Sequence, residues 1–224
     1  MWWKDPNWWV QAVAAIATFI VAFVALFGDV LKRRMFPPKL ALSLKSECGE
    51  LTNLTLHDPF KDEISKAEGR YFHVSVVNSG FSIATNTGVY ITSIMLRGAG
   101  GAWHQKWNGD ALLAWRNGGL YPVLRDVGST TIDADFFYLV ENKWLELCVV
   151  EAARSNNIPT DSEPFRPGRW RKKIEMIITV QAKSTESMSE PYMFEVAWDG
   201  IWEEGDKEIL RHIKIKHIQS INDH

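Results

Sequence analysis

The sequence lacks the residue patterns that enzyme active sites and metal sites require. Its only cysteines, Cys48 and Cys148, form neither a C-x-x-C pair nor a zinc-type spacing, and its six histidines are scattered. HExxH, GxSxG, P-loop and dinucleotide-binding fingerprints are all missing. Asp133 and Asp135 could form a carboxylate pair, but such acids are more often solvated loop residues. We therefore predict no enzymatic activity, no metal site, no cofactor and two reduced thiols.

A large excess of one charge is also lacking. The formal net charge is -2 over 224 residues, which excludes a general polyanion-binding protein. Any contact with nucleic acid or lipid must therefore come from a local patch. No repeat of solenoid length occurs. The chain is long enough for one domain with a sizeable core.

The sequence does contain one long apolar run near its N-terminus. Residues 8–27 carry no formal charge, and as a helix rising about 1.5 Å per residue they match a hydrocarbon core about 30 Å thick. Aromatic residues that suit a membrane interface lie at one end, at Trp2, Trp3, Trp8 and Trp9. Basic residues lie at the other end, at Lys32, Arg33, Arg34 and Lys39. This pattern predicts a transmembrane helix within an N-terminal membrane anchor over residues 1–36.

The distribution of cations also predicts the orientation of this helix. Before the apolar run Lys4 is balanced by Asp5, so the basic side that follows the run stays in the cytoplasm. We therefore predict a single-pass protein of the inner (cytoplasmic) membrane, with its N-terminus outside and its C-terminal domain cytoplasmic. A cleaved signal peptide fits less well, because the basic cluster follows an apolar run that is too long for one.

One stripe of the predicted helix is small and polar. Its members follow one another at steps of four and three residues: Gln11, Ala15, Thr18, Ala22, Ala25 and Asp29. Small side chains let helix backbones approach in lipid, and polar ones hydrogen-bond across the interface, so the stripe predicts a homo-oligomer. The same stripe could line a pore or ion channel. The alternative is a lone tether, because alanine is common in membrane helices.

The rest of the chain reads as strands separated by turns. Pro37 and Pro38 end the helix and favour an extended spacer. Alternating or β-branched runs then predict strands over residues 40–45, 70–78, 87–96, 143–150, 171–182, 191–198 and 211–218. Two short helices are predicted, one starting at Asp110 and one over residues 133–139. The fold class is therefore all-β, with an immunoglobulin-like antiparallel β-sandwich over residues 37–224.

Tryptophan is unusually frequent, with 11 residues. Those outside the membrane anchor are Trp103, Trp107, Trp115, Trp144, Trp170, Trp198 and Trp202. In a β protein such residues most often pack in the core or cover a sheet. The alternative is that some of them serve as stacking platforms or as a partner surface.

Two segments combine cations with aromatic rings. The first, the basic turn, contains Arg166, Arg169, Trp170, Arg171, Lys172 and Lys173. The second lies in a predicted loop region and contains Trp103, Lys106, Trp107 and Arg116. Both could bind a nucleotide or oligonucleotide through phosphate contacts and ring stacking. For the basic turn, contact with the anionic inner leaflet and plain solvation are the alternatives.

Several short motifs together resemble a group of bacterial single-pass proteins with a cytoplasmic β-sandwich. They are Pro37-Pro38-Lys39-Leu40, Tyr71-x-His73-x-Ser75-x-Val77-Asn78-Ser79-Gly80, Ala84-x-Asn86 and Phe194-x-Val196-x-Trp198-Asp199-Gly200-x-Trp202. The layout is similar to that of the membrane effectors of nucleotidyltransferase-linked antiphage systems of the Hailong type. The resemblance implies an oligomeric membrane protein that an oligonucleotide signal holds or gates and that damages the membrane when released. It also implies a nucleotidyltransferase encoded alongside as a partner.

Two functional hypotheses follow. In the first, the chain is a homo-oligomeric membrane effector in antiphage defence whose cytosolic β-sandwich binds a nucleotide or oligonucleotide signal. In the second, it is a membrane-tethered adaptor that binds a protein partner. Both place the lipid bilayer among its partners.

Overall fold

The computed structural model describes residues 7–58, 63–116, 124–141, 144–150, 158–159 and 168–219. The helices in these ranges are α1 (Trp8–Met35) and α2 (Asp206–Ile209). The first strands are β1 (Leu40–Leu44), β2 (Glu50–Asp58), β3 (Glu63–Asn78), β4 (Ala84–Arg97), β5 (Trp103–Leu112) and β6 (Arg125–Val127). The remaining strands are β7 (Ile132–Val140), β8 (Trp144–Leu147), β9 (Arg169–Trp170), β10 (Ile174–Lys183), β11 (Tyr192–Trp198) and β12 (Ile213–Ile218).

Helix α1 is the apolar element predicted near the N-terminus. It contains 28 residues, and its stretch Trp8–Gly28 is long and apolar enough to cross a membrane. None of that stretch is buried inside the protein. Its length and apolar composition are therefore compatible with a membrane-spanning helix.

The strands form two antiparallel sheets. One has the order β1-β3-β7-β8-β9, with β2 paired to the first part of β3. The other has the order β12-β11-β10-β4-β5, with β6 paired to the start of β4. The protein is therefore mostly β, with two antiparallel sheets and an apolar N-terminal helix, as the sequence predicted. The immunoglobulin-like arrangement stays a prediction.

The two sheets share one apolar core. In β10 the residues at every second position, from Ile174 to Val180, are buried, as the alternation predicted. Across the core, Phe136 of β7 contacts Phe194 of β11, with ring centroids 5.3 Å apart. Burying one such side chain contributes about 1.5–3 kcal/mol, so these rings are a main source of cohesion between the sheets.

All the predicted strands are present, with shifted ends, whereas both predicted short helices are wrong. Asp110 lies in β5, which pairs with β4, and residues 133–139 lie in β7, which pairs with β3. The acids resembled helix N-caps, but the aromatic and branched residues after Asp133 pack on a sheet. The loop predicted for the second aromatic segment is also wrong. Strand β5 contains Trp103, Lys106 and Trp107.

The prediction that tryptophan packs in the core is confirmed for most of the tryptophans in the β domain. The buried residues are Trp107, Trp115, Trp170 and Trp198, and Trp202 packs against the core. Both cysteines are free, as predicted, although Cys48 is only half-buried whereas Cys148 is buried.

Asn78 fixes the point where the β domain meets α1. Its amide nitrogen donates to the carbonyls of Ser82 (2.7 Å) and Val127 (3.0 Å). Its side-chain oxygen accepts from the backbone N–H groups of Lys39 (3.0 Å) and Gly80 (2.9 Å). Residues 79–83 are thereby held against the segment that follows α1. We call this part of the domain the proximal end.

Strand β4 connects the proximal end to the opposite end of the second sheet. It begins at Ala84, directly after the proximal loop, and ends at Arg97. Its 14 residues, at about 3.3 Å each, extend for about 40 Å along the strand, so Arg97 lies at the opposite end of β4 from the proximal loop. We call the region around Arg97 the distal end.

Candidate functional site

A polar cleft lies at the distal end, where β4 ends and β10 begins. The cavity measures about 400 Å³ and is lined by Arg97, Gly98, Ala99, Gly101, Lys173 and Glu175. The antiparallel pairing of Met176 with Leu96 brings the residues before β10 beside the β4–β5 turn. We call this cavity the distal cleft. It joins the end of the basic turn to the start of the second aromatic segment.

Arg97 organises the distal cleft. Its guanidinium donates to the Glu175 carboxylate at 2.8 Å and, through Nε, to the Gly101 carbonyl at 3.2 Å. The same guanidinium lies 5.6 Å from the ring centroid of Trp103. Lys173 Nζ lies 3.3 Å from the other Glu175 oxygen. Two cations thus share one carboxylate beside a half-exposed indole, which leaves an excess of positive charge.

Electrostatics keep that carboxylate ionised. The hydrogen bond from Arg97 is the main reason that the pKa of Glu175 lies below its ordinary value; Lys173 adds to the effect and burial opposes it. Arg171 and Lys172 extend the positive surface, since both are exposed on the turn before β10. The arrangement suits an anion that carries more charge than the single glutamate.

Arg169 and Trp170, which the sequence predicted as ligand contacts, are buried. The Glu146 carboxylate accepts from Arg169 Nε at 2.7 Å and from the Tyr138 hydroxyl at 2.7 Å. The Arg169 guanidinium lies 3.8 Å from the ring centroid of Trp144. Trp170 is 3% exposed, so its indole has no face available for a base. The structure therefore removes Arg169 and Trp170 from the candidate ligand contacts.

The other predicted contacts are dispersed. Arg166 lies outside the described residues. Trp107 is buried, whereas Lys106 is exposed on β5. Arg116 lies beside the other sheet, where it contacts Glu50 and Asp133. Of the predicted set, Trp103 and Lys173 meet at Arg97 and Glu175, and Arg171 and Lys172 adjoin them in sequence.

Sequence reasoning missed Arg97 itself. Its only signal was a cation at the end of a predicted strand, next to a glycine-rich turn, and that combination is common. Its importance comes from Glu175, which lies on a neighbouring strand and is 78 positions away in the chain.

A second polar cleft, which we call the His73 cleft, lies on the first sheet. Its cavity of about 360 Å³ is lined by Glu50, Leu51, Thr52, Tyr71, His73, Arg116 and Asp135. His73 is nearly buried, with Nδ1 2.9 Å from Asp135 and Nε2 3.6 Å from Glu50. The Ser75 hydroxyl donates to Asp133 at 2.7 Å. Asp133 and Asp135 are therefore strand residues in a network, and the expectation of solvated loop acids is wrong.

Ion pairs satisfy the charges of the His73 cleft internally. Lys45 Nζ lies 2.7 Å from Asp133 and 3.1 Å from Glu50. Burial alone would raise the pKa of Asp133, but hydrogen bonds from Lys45 and Ser75 outweigh it and lower that pKa. The hydrogen bond to Asp133 raises the pKa of Lys45. The three carboxylates of this cluster outnumber its two permanent cations, Lys45 and Arg116, so it has no excess positive charge to offer an anionic ligand.

The small stripe of α1 lies on the surface of the protein. Ala15, Ala22 and Ala25 are exposed, and the Thr18 hydroxyl donates to the Ala14 carbonyl at 2.8 Å within the helix. Gln11 is also exposed, whereas the side chain of Asp29 lies outside the described part of the chain. The stripe is therefore available to a neighbouring helix, but with the threonine hydroxyl already satisfied.

Among the described residues, no group of three or more His, Cys, Asp or Glu side chains could hold a metal ion. Comparison with known proteins adds no family: no protein-family model matches this chain, and a search of the curated proteins finds no match.

Proposed function

We propose that the chain is a homo-oligomeric single-pass membrane effector whose β domain binds a nucleotide or oligonucleotide at the distal cleft. The observation that carries this proposal is the position of the cleft. Exposed cations, a glutamate that pairs with them and a half-exposed indole meet at the end of β4, the opposite end of this strand from the proximal loop. That end is separated from the helix exit by the length of β4.

The length of β4 favours a soluble ligand over the membrane surface. The distal cleft lies about 40 Å along β4 from the proximal loop, whereas the Debye length at physiological salt is only about 8 Å. Lipid charges at the helix exit therefore contribute little to the potential at the basic turn. Phosphate groups of a free oligonucleotide can approach the same cations directly.

The ligand contacts follow from the geometry of the cleft. Arg171, Lys172 and Lys173 are exposed and supply phosphate contacts, while Trp103 offers an indole beside Arg97 for a base. The Glu175 carboxylate fixes the positions of Arg97 and Lys173. It also competes with any anionic ligand for these two cations, so it favours ligands that carry more negative charge than one carboxylate. Oligonucleotides with several phosphates outcompete the single carboxylate through counterion release.

The role as an effector rests on α1 and on the family resemblance. The exposed stripe of small residues supports self-association, and conduction of ions by the assembled helices would explain damage to the membrane. Antiphage defence, and a nucleotidyltransferase encoded alongside as the source of the signal, rest on the resemblance alone. The cytoplasmic location of the β domain rests on the cation asymmetry.

Binding to the full-length chain in lipid nanodiscs tests the site. We expect a fluorescent short oligonucleotide to bind at low salt, with affinity that falls steeply as salt rises. The variant Arg171→Glu/Lys172→Glu should bind at least about tenfold more weakly, since two phosphate contacts are lost. The matched control Lys66→Glu/Lys216→Glu carries the same charge change on exposed strand residues and should bind within about twofold of wild type.

Two results would contradict this site: no oligonucleotide affinity at low salt, or equal loss in the target and control variants. Expression with a membrane-potential dye then separates the two functional hypotheses. Depolarisation that requires α1 supports the effector. A chain that leaves the potential unchanged and co-purifies with one protein supports the adaptor.

A further inference from the structure

Three large apolar side chains are exposed together at the proximal end. Phe81 is 81% exposed, Ile83 is 55% exposed and Phe36 is 48% exposed. The rings of Phe36 and Phe81 contact each other edge to face, with centroids 5.9 Å apart. Large apolar side chains exposed close together in this way are typical of an interaction surface.

The loop that carries these side chains is fixed to the end of α1. The Ser82 hydroxyl donates to the Phe36 carbonyl at 2.6 Å, and the Ser79 N–H donates to the Lys39 carbonyl at 2.9 Å. A Cβ atom at Gly80 would lie 2.5 Å from the Pro37 carbonyl oxygen, so only glycine permits this approach. The position of Phe81 is therefore tied to the position of the helix exit.

The length of α1 places the helix exit at the membrane surface. Its 28 residues, at about 1.5 Å each, extend for about 42 Å. A bilayer including both headgroup regions is about 40–45 Å thick. With Trp8 and Trp9 at one interface, Met35 reaches the opposite headgroup boundary, and any tilt of the helix brings Phe36 deeper.

We propose that Phe36, Phe81 and Ile83 form a docking surface for the lipid bilayer at the exit of α1. The inference rests on the membrane-spanning role of α1 in the proposed function. The side chains enter the headgroup layer at the helix exit, where aromatic residues are favoured. Arg34 and Lys39, which lie on either side of Phe36 in the sequence, are exposed and suit anionic headgroups.

Docking of this surface would give the β domain a defined orientation. A domain that is connected to the membrane only through an extended spacer can rotate freely relative to the membrane. A domain that contacts the membrane both at the helix exit and through residues 79–83 cannot. The distal cleft would then point away from the membrane in every subunit. A force produced by ligand binding at the cleft would be transmitted to α1 through the β domain.

Depth-dependent fluorescence quenching of the full-length chain tests the proposal. In a Cys48→Ser background, an environment-sensitive fluorophore is attached at Phe81→Cys and, separately, at Ile83→Cys. The matched control is Ile201→Cys, because Ile201 is 48% exposed but lies at the distal end. The protein is reconstituted in vesicles of phosphatidylcholine and phosphatidylglycerol that contain lipids with a nitroxide near the headgroup.

We expect the fluorophores at positions 81 and 83 to show blue-shifted emission and at least about twofold quenching, with neither effect at position 201. Equal, water-like emission at all three positions would overturn the docking surface. A fluorophore at Ile20→Cys, read with a nitroxide deep in the acyl chains, distinguishes failure of the docking surface from failure of the membrane-spanning helix. Quenching at position 20 without quenching at 81 and 83 rejects the docking surface alone, whereas no quenching at position 20 rejects the spanning helix as well.

Discussion

At the scale of single residues, two neighbouring arginines of the basic turn have different tasks. Arg169 is buried against Glu146 and the ring of Trp144, whereas Arg171 is exposed. A buried ion pair adds little net stability over an apolar pair, but removing one partner leaves the other charge buried without its counter-ion. The sequence does not distinguish the two residues, because the partner of Arg169 lies on a neighbouring strand.

The first prediction concerns this ion pair. We expect Arg169→Met to lower the free energy of unfolding by about 3–5 kcal/mol, because the Glu146 carboxylate loses its cation. Arg171→Met should change it by at most about 0.5 kcal/mol, as is usual for an exposed residue. Denaturant titration of the detergent-solubilised chain measures both values. If the double variant Arg169→Met/Glu146→Leu is no more stable than Arg169→Met, the stranded charge is not the cause.

The second prediction concerns the ion pairs of Lys45. The pKa of Asp133 and that of Glu50 are lowered in the folded state, so each carboxylate contributes stability above its ordinary pKa. That contribution is lost as the pH falls from about 5 through the lowered folded-state values. Lys45→Met removes a hydrogen bond from both acids. We therefore expect the difference in Tm between wild type and variant to be largest at neutral pH and to shrink in acid.

Melting curves from pH 7 to pH 3 measure this difference. Lys214→Met is the control, because Lys214 is exposed on β12 and belongs to another sheet. A Lys45→Met difference that stays constant across the pH range would mean that packing of the lysine stem, not the ion pairs, stabilises the fold.

At the scale of elements, alternation of apolar residues was a reliable guide and capping signals were not. The pattern from Ile174 to Val180 predicted a half-buried strand because period-two burial follows directly from strand geometry. Asp110 and Asp133 looked like N-caps, but each sits in a strand whose apolar residues face the core. Local acids are ambiguous, since an aspartate can cap a helix or pair with a cation from another strand.

The third prediction concerns the small stripe of α1. We expect Ala22→Leu or Ala15→Leu to weaken self-association, because a bulky side chain there keeps the helix backbones apart. Ile20→Leu adds no volume and lies outside the stripe, so it should have no effect. Crosslinking in membranes, followed by sizing of the products, compares the three variants. Equal oligomer size in all of them would reject the stripe as the interface.

At the scale of the whole molecule, the sequence predicted the layout better than the site. The apolar run, the mostly β composition and most core tryptophans could be predicted because each depends on local pattern. The distal cleft could not, because its charges are arranged by tertiary pairing: Arg97 meets Glu175 from another strand, and Arg169 turns inward to Glu146. Composition gives the number of cations in a segment, but only the fold decides which of them face solvent.

The last prediction concerns the orientation of the entire chain in the membrane. Cations concentrate after the apolar run, and this imbalance should keep residues 37–224 in the cytoplasm. A periplasm-dependent phosphatase fused after His224 should therefore be inactive, and a fluorescent protein fused there should be bright. The matched control moves the charges: the four substitutions Lys32→Ser, Arg33→Ser, Arg34→Ser and Lys39→Ser, combined with Asp5→Lys, should increase phosphatase activity. Phosphatase activity in the unaltered fusion would reverse the topology, and with it the access of a cytoplasmic oligonucleotide to the distal cleft.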